Sequence, residues 1–130
     1  MSFDDVLKDI EGLIGLRLES IRPGAEIVVR EVSSDEGRIE LETAKGDVKS
    51  RPISELRRIW EALSNGTPVH IERVLGGSGS SRNQPETIFA NLPYIEWMRH
   101  NGKKHIVNVG RNSHPPGTLK KKWMTSKPNT

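Results

Sequence analysis

The hydrophobic pattern of the first half predicts a helix followed by strands. Apolar residues recur every three or four positions over residues 3–14, which is typical of an amphipathic helix, and Ser2 is expected to cap its start. Residues 17–50 are rich in β-branched residues and include a strict polar–apolar alternation at 38–43, as in a half-buried strand. We therefore predict a small antiparallel β meander. Its outer charges alternate in sign, so we expect no phosphate-binding surface there.

The second half predicts further helices and a hairpin. An apolar stripe marks a helix over residues 54–64, and residues 67–75 are either a short helix capped by Thr67 or a strand. A glycine-serine break leads into a third helical segment, 82–92, for which Ser81 or Asn83 is the expected cap. Two β-like runs then flank an Asn-Gly pair at 101–102, which is a strong hairpin signal because a type I′ turn needs two residues with positive φ.

This order of elements over residues 52–110 resembles a winged helix-turn-helix DNA-binding domain. The resemblance implies that the helix after the turn enters the major groove and that the hairpin, or wing, contacts the phosphate backbone. Arg can contact guanine, and Asn and Gln can contact adenine, while hydroxyl groups and lysines suit phosphates. The nucleic-acid contacts implied for the two elements are Ser80, Ser81, Arg82, Asn83, Gln84, Lys103 and Lys104. The alternative is a linker followed by a solvated helix start.

Charge is distributed unevenly along the chain. Residues 1–65 carry ten Lys/Arg and fourteen Asp/Glu, whereas residues 66–130 carry ten Lys/Arg and three Asp/Glu. The basic half is expected to attract a polyanion. Its last segment, residues 111–130, is either a disordered tail or an extended segment that lies along a phosphate backbone beside Trp123. Its candidate contacts are Arg111, Lys120, Lys121 and Lys122.

Other chemistries have little support in the sequence. The chain has no cysteine, its glycine-rich segment lacks the Lys-Ser/Thr ending of a P-loop, and its histidines form no helical ligand pair. Carboxylates are not clustered in the basic half, as a metal-dependent nuclease would require. We therefore expect no enzymatic activity, no metal and no cofactor.

Together these observations predict an α+β protein in three parts. Residues 1–51 would form the helix and meander, residues 52–110 a winged-helix-like basic module, and residues 111–130 a basic extended tail. The expected function is non-catalytic DNA binding, as a regulator of transcription or as the targeting module of a larger system. The alternatives are an adaptor or inhibitor, phage- or defence-related, that binds an acidic protein, and an RNA-binding module. We expect a cytoplasmic location and no contact with membranes, and the sequence leaves open a homodimer or a larger protein complex.

Overall fold

The computed structural model describes residues 1–76 and 82–122 and confirms the α+β class. An N-terminal helix precedes a four-stranded antiparallel sheet, and three further helices precede a two-stranded sheet. The elements are α1 (Phe3–Glu11), β1 (Arg17–Glu19), β2 (Glu26–Ser33), β3 (Arg38–Thr43), β4 (Val48–Pro52), α2 (Ile53–Leu63), α3 (Ile71–Leu75), α4 (Asn83–Ala90), β5 (Ile95–His100) and β6 (Lys103–Asn108). No helix among these residues is long and apolar enough to cross a membrane.

Helix α1 begins as predicted and ends earlier than predicted. The Ser2 hydroxyl accepts a hydrogen bond from the backbone N–H of Asp5, whose carboxylate accepts one from the backbone N–H of Ser2. This reciprocal capping box satisfies two N–H groups that lack partners within the helix. The helix ends at Glu11 because Gly12 is its C-cap, yet Leu13 beyond it is still fully buried.

The four-stranded sheet is a simple meander in the order β1-β2-β3-β4, with every neighbouring pair antiparallel. The predicted strands at 26–32 and 38–43 are confirmed, and the short strand β1 precedes them. A register shift between Val29 and Glu31 bends β2 against β3. The inner face is apolar and fully or almost fully buried, and it consists of Leu18, Ile27, Val29, Ile39 and Leu41.

Residues 67–75, predicted to be either a short helix or a strand, form a β-bridge and then a short helix. Val69 forms an antiparallel bridge with Ile106 of β6, and helix α3 then begins at Ile71 with His70 as its N-cap. The prediction that Thr67 caps this helix is wrong, because the backbone of Val69 is committed to β6. The Thr67 hydroxyl instead donates a hydrogen bond to the side chain of Asn65.

The hairpin is confirmed, and the chain after it adds to its edge. Asn101 and Gly102 have φ values of 53° and 76°, as a type I′ turn requires. On the other edge of β5, the Trp97 N–H donates to the Lys120 carbonyl, and the Lys122 N–H donates to the Trp97 carbonyl. The tail is therefore an edge segment up to Lys122, and Trp123 lies outside the described residues.

One hydrophobic core joins the sheet, all four helices and the hairpin. Helix α4 lies at its centre, where it contacts β1 and β2 on one side and β5 and β6 on the other. A buried hydrogen bond of 2.6 Å joins the hydroxyls of Ser20 and Thr87 across the first of these contacts. A second long-range hydrogen bond joins α1 to the chain before β5, where the Tyr94 hydroxyl donates to the Asp9 carboxylate at 2.8 Å. The N-terminal sheet thus covers the helix that the winged-helix resemblance assigns to the major groove.

Candidate nucleic-acid interface

The start of α4 is held by contacts within the protein. The amide of Asn83 donates to the Ser20 hydroxyl at 2.7 Å, and the Gln84 side-chain oxygen accepts from the Arg51 guanidinium at 3.0 Å. Arg82 lies 3.5 Å from the carboxylate of Glu55. All three predicted base contacts therefore have protein partners, and each side chain is only partly exposed.

The rest of α4 is inaccessible to a nucleic acid. Every residue from 85 to 90 is buried, including the polar Glu86 and Thr87. A helix enters the major groove with side chains that reach base edges, and here those positions face the protein core. The predicted cap at Asn83 is wrong, since this residue lies inside the helix and Arg82 is the N-cap. Ser80 and Ser81 lie outside the described residues.

The hairpin tip, unlike α4, is exposed to solvent. All five residues from 99 to 103 are exposed, and two of them, Arg99 and Lys103, are cationic. Within residues 1–76 and 82–122, the side chains of Arg99, Asn101 and Lys103 form no hydrogen bond and no ion pair. Lys104, one position further along β6, is partly covered, and its ammonium group lies 3.4 Å from Glu86.

Glu86 is the acidic counterpart within this basic region. Burial raises the pKa of its carboxyl group above the usual value, and the nearby Lys104 ammonium opposes that rise. The Glu86 side chain is 7% exposed and that of Lys104 is 27% exposed. The Glu86 side chain is therefore almost fully buried, while part of the Lys104 side chain remains accessible to solvent.

The structure brings the two predicted elements to one face. Arg82, Asn83 and Lys104 line a shared cavity of about 180 Å³. Lys103 lines an adjacent cavity of about 570 Å³, and His70 lies in the walls of both. The start of α4 and the hairpin tip thus line two neighbouring cavities that share His70 and Glu72, here together called the groove, and the hairpin side is the more accessible one.

A chain of imidazole rings lies along the larger cavity. The ring of His105 lies 5.3 Å from the ring of His70 and 5.3 Å from that of His100, and Glu72 contacts His70 at 3.3 Å. No group of three or more His, Asp or Glu side chains in the described part of the chain has the arrangement needed to hold a metal ion. The rings instead add nitrogen donors to the wall of the groove.

Sequence reasoning missed four basic residues that border this face. Arg73 lines the larger cavity, and Arg22 lines the smaller one. Arg22 also lines a third cavity of about 470 Å³, together with Lys45, Lys49 and the Asn83 side chain. The expectation that the N-terminal meander lacks a phosphate-binding surface considered its strands, whereas Arg22 and Lys45 lie at its turns. For Arg22 and Lys45 the position of a basic residue at a turn was the available signal, whereas Lys49 lies in β4 and Arg73 in α3.

The predicted tail contacts lie outside the three cavities of this face. Lys120 lies 3.7 Å from the buried carboxylate of Glu96, and Lys121 lies 5.2 Å from the centre of the Trp97 ring. Arg111 is exposed and borders a separate cavity. Lys122 is partly covered and bonds to β5 through its backbone. The tail lysines therefore help to hold the edge segment on the hairpin.

The comparisons point to a class of enzyme. No protein-family model matches the chain, and no solved structure matches it significantly. The chain is 29% identical over 108 residues to the type II restriction enzyme NmeDI of Neisseria meningitidis serogroup C. The match covers 72% of this chain and 30% of NmeDI, so it spans about a third of the relative. The expectation of no enzymatic activity is contradicted by this finding, because the relative is a restriction enzyme.

Proposed function

We propose that this chain binds duplex DNA and is the DNA-contacting part of a restriction-type enzyme. The observation that carries the proposal is the exposed hairpin tip, residues 99–103, beside a groove with a basic border. The similarity to a restriction enzyme supports DNA as the polyanion and gives no comparable support to RNA. Transcription regulation and a homodimer remain predictions from the sequence.

The arrangement around the hairpin supports the winged-helix hypothesis. Helix α2, the bridging residue Val69, helices α3 and α4 and the β5–β6 hairpin follow one another, and Val69 adds to the edge of β6. The hairpin is consequently anchored on both edges, by Val69 and by the segment at Lys121, while its tip projects from this support. An anchored hairpin can present cations to a phosphate backbone at little cost in conformational entropy.

The cations around the groove are suited to phosphate contact. Lys103 and Arg73 are exposed and border the same cavity, where a phosphate could be met from the hairpin and from α3 at once. Each phosphate neutralised in this way releases condensed counterions, so affinity falls as salt rises, with a slope of about −0.9 per contact. Lys104 and Arg82 can add contacts if a phosphate takes the place of their carboxylate partners.

A salt series tests the proposal. The chain is titrated into a fluorescent duplex of about 20 base pairs at several salt concentrations. Lys103→Glu with Arg73→Glu is the test variant, because both side chains are exposed. This variant leaves the ion pair between Lys104 and Glu86 intact and so avoids a loss of structure. Lys8→Glu on α1 combined with Arg17→Glu on β1 is the matched control, since this pair makes the same charge change and both residues are exposed and lie outside the three cavities.

We expect steep salt dependence for the native chain and for the control. For the test variant, the slope of log affinity against log salt concentration should be shallower by the amount expected for about two phosphate contacts. Its affinity at low salt should be weaker by on the order of 10- to 100-fold. Absence of binding to any duplex at low salt would refute DNA binding. Equal losses in the test and control variants would refute the assigned face, and stronger binding to an RNA duplex would refute the choice of DNA.

A further inference from the structure

We infer that the hairpin tip, through Arg99 and Asn101, determines which DNA sequence is bound, and that the start of α4 does not. The inference rests on the proposed DNA binding and goes beyond it, because phosphate contacts alone carry no sequence information. It reverses the roles that the winged-helix resemblance implies for the two elements.

Helix α4 lacks the free side chains that base reading needs. Asn83 and Gln84 each already form a hydrogen bond within the protein, and residues 85–90 are buried. To contact a base, Gln84 would have to leave the buried guanidinium of Arg51, which would then lose an acceptor. Exchanging one hydrogen bond for another in this way leaves little net binding free energy for discrimination between bases.

The hairpin tip has the required chemistry without this cost. Arg99 can donate two hydrogen bonds to guanine, and the amide of Asn101 can both donate to and accept from adenine. Both side chains are exposed, and neither forms a hydrogen bond or ion pair with any residue described by the structure. A two-stranded ribbon is also narrow enough for the major groove, which is about 12 Å wide.

The strand register separates base contacts from phosphate contacts on the tip. Residues directly opposite each other on antiparallel strands project to the same face, and the pairs here are Arg99 with Lys104 and His100 with Lys103. The second pair lines the large cavity that Arg73 borders, and Asn101 at the turn lines it too. Arg99 projects from the opposite face of the ribbon. A phosphate held by Lys103 would therefore leave Arg99 available for a base edge, while Asn101 would reach a base edge from beside that phosphate.

Two conservative substitutions test this division. Asn101→Gly removes the amide and preserves the turn, because glycine adopts the positive φ of this position readily. Arg99→Lys keeps the charge and removes the fork that contacts guanine bidentately. Lys103→Ala and Gln84→Ala are the matched controls for a phosphate contact and for α4. Each purified variant is used to select from a library of duplexes with a randomised centre, and its affinity is then measured for the selected and for scrambled duplexes.

The native chain should select a preferred sequence. Asn101→Gly and Arg99→Lys should each lower the ratio of preferred to scrambled affinity by about 5- to 150-fold, each relaxing a different base position. Lys103→Ala should weaken both affinities and keep their ratio, and Gln84→Ala should leave the ratio unchanged. DNA binding with no sequence preference, or a preference that survives both tip substitutions, would overturn the inference while leaving the proposed function intact. Absence of binding by the native chain would overturn both.

Discussion

Two stretches with similar chemistry lie in opposite environments in this protein. Residues 82–84 are Arg-Asn-Gln at the start of α4, and residues 99–101 are Arg-His-Asn at the end of β5 and in its turn. The first stretch is partly buried and bonded to Glu55, Ser20 and Arg51. The second is exposed. Residue type therefore shows what a side chain is able to contact, whereas packing decides whether it is available to do so.

The largest expected effect concerns stability and separates the two regions directly. Phe89→Ala in α4 removes a fully buried ring at the centre of the core and should lower the free energy of unfolding by about 3–5 kcal/mol. Arg99→Ala at the exposed tip should change it by less than about 0.5 kcal/mol. Urea unfolding followed by tryptophan fluorescence measures both. Equal effects would show that α4 is not the structural centre of the fold.

The next effect tests whether the start of α4 serves the fold. Glu55 forms a two-bond ion pair with Arg51 and also contacts Arg82, and its side chain is only 16% exposed. Glu55→Ala should lower the free energy of unfolding by about 3 kcal/mol, because it leaves the guanidinium of Arg51 without its carboxylate in a largely buried place. The same urea experiment applies. A loss below about 0.5 kcal/mol would mean that Arg82 and its neighbours are as free as the hairpin tip.

A smaller effect tests how far the proposed DNA-binding face extends. Lys45→Glu with Lys49→Glu changes two exposed residues beside the start of α4 and should weaken duplex binding by about tenfold at low salt. The slope of log affinity against log salt should become shallower by the amount expected for up to two phosphate contacts, and Lys8→Glu combined with Arg17→Glu serves again as the control. Unchanged affinity would confine the face to the hairpin and α3.

The smallest effect is the pH dependence of stability contributed by Glu86. Since its pKa is raised in the folded protein, folding favours the protonated carboxyl, and this contribution is lost as pH rises through the folded pKa. Glu86→Gln cannot ionise and should gain stability relative to the native chain over that interval. Parallel urea titrations from pH 4 to pH 7 measure the difference. A difference that stays constant, or that shifts towards the native chain as pH rises, would contradict the assigned direction.

Local sequence signals predicted the elements well where they do not depend on distant residues. The period of apolar positions located α1 and α2, and the Asn101-Gly102 pair located the hairpin because its turn needs positive φ at both residues. The end of α1 and the start of α3 were misplaced. The start of α3 is determined by the bridge from Val69 to Ile106, which joins residues far apart in the sequence.

The candidate site was predicted only in part, because some of it depends on contacts between residues far apart in the sequence. Lys103, Lys104 and the two elements could be identified from the sequence, and both elements line neighbouring cavities in the structure. The burial of α4 could not be predicted, because it depends on how the N-terminal sheet packs, through Ser20, on Thr87 and Asn83. Arg22 and Lys45 could have been found from their positions at turns, whereas their approach to the start of α4 depends on the same packing.

The central claim is that DNA meets this protein at the hairpin tip and its neighbouring groove. The most direct measurement is an NMR titration of the isotope-labelled chain with a short duplex, in which the backbone amide signals are followed residue by residue. We predict that the largest shifts occur at residues 99–104, with smaller shifts around Arg73 and Arg22, and that residues 87–90 of α4 stay nearly unchanged. Shifts concentrated on α4, or on a surface remote from the hairpin, would contradict the account.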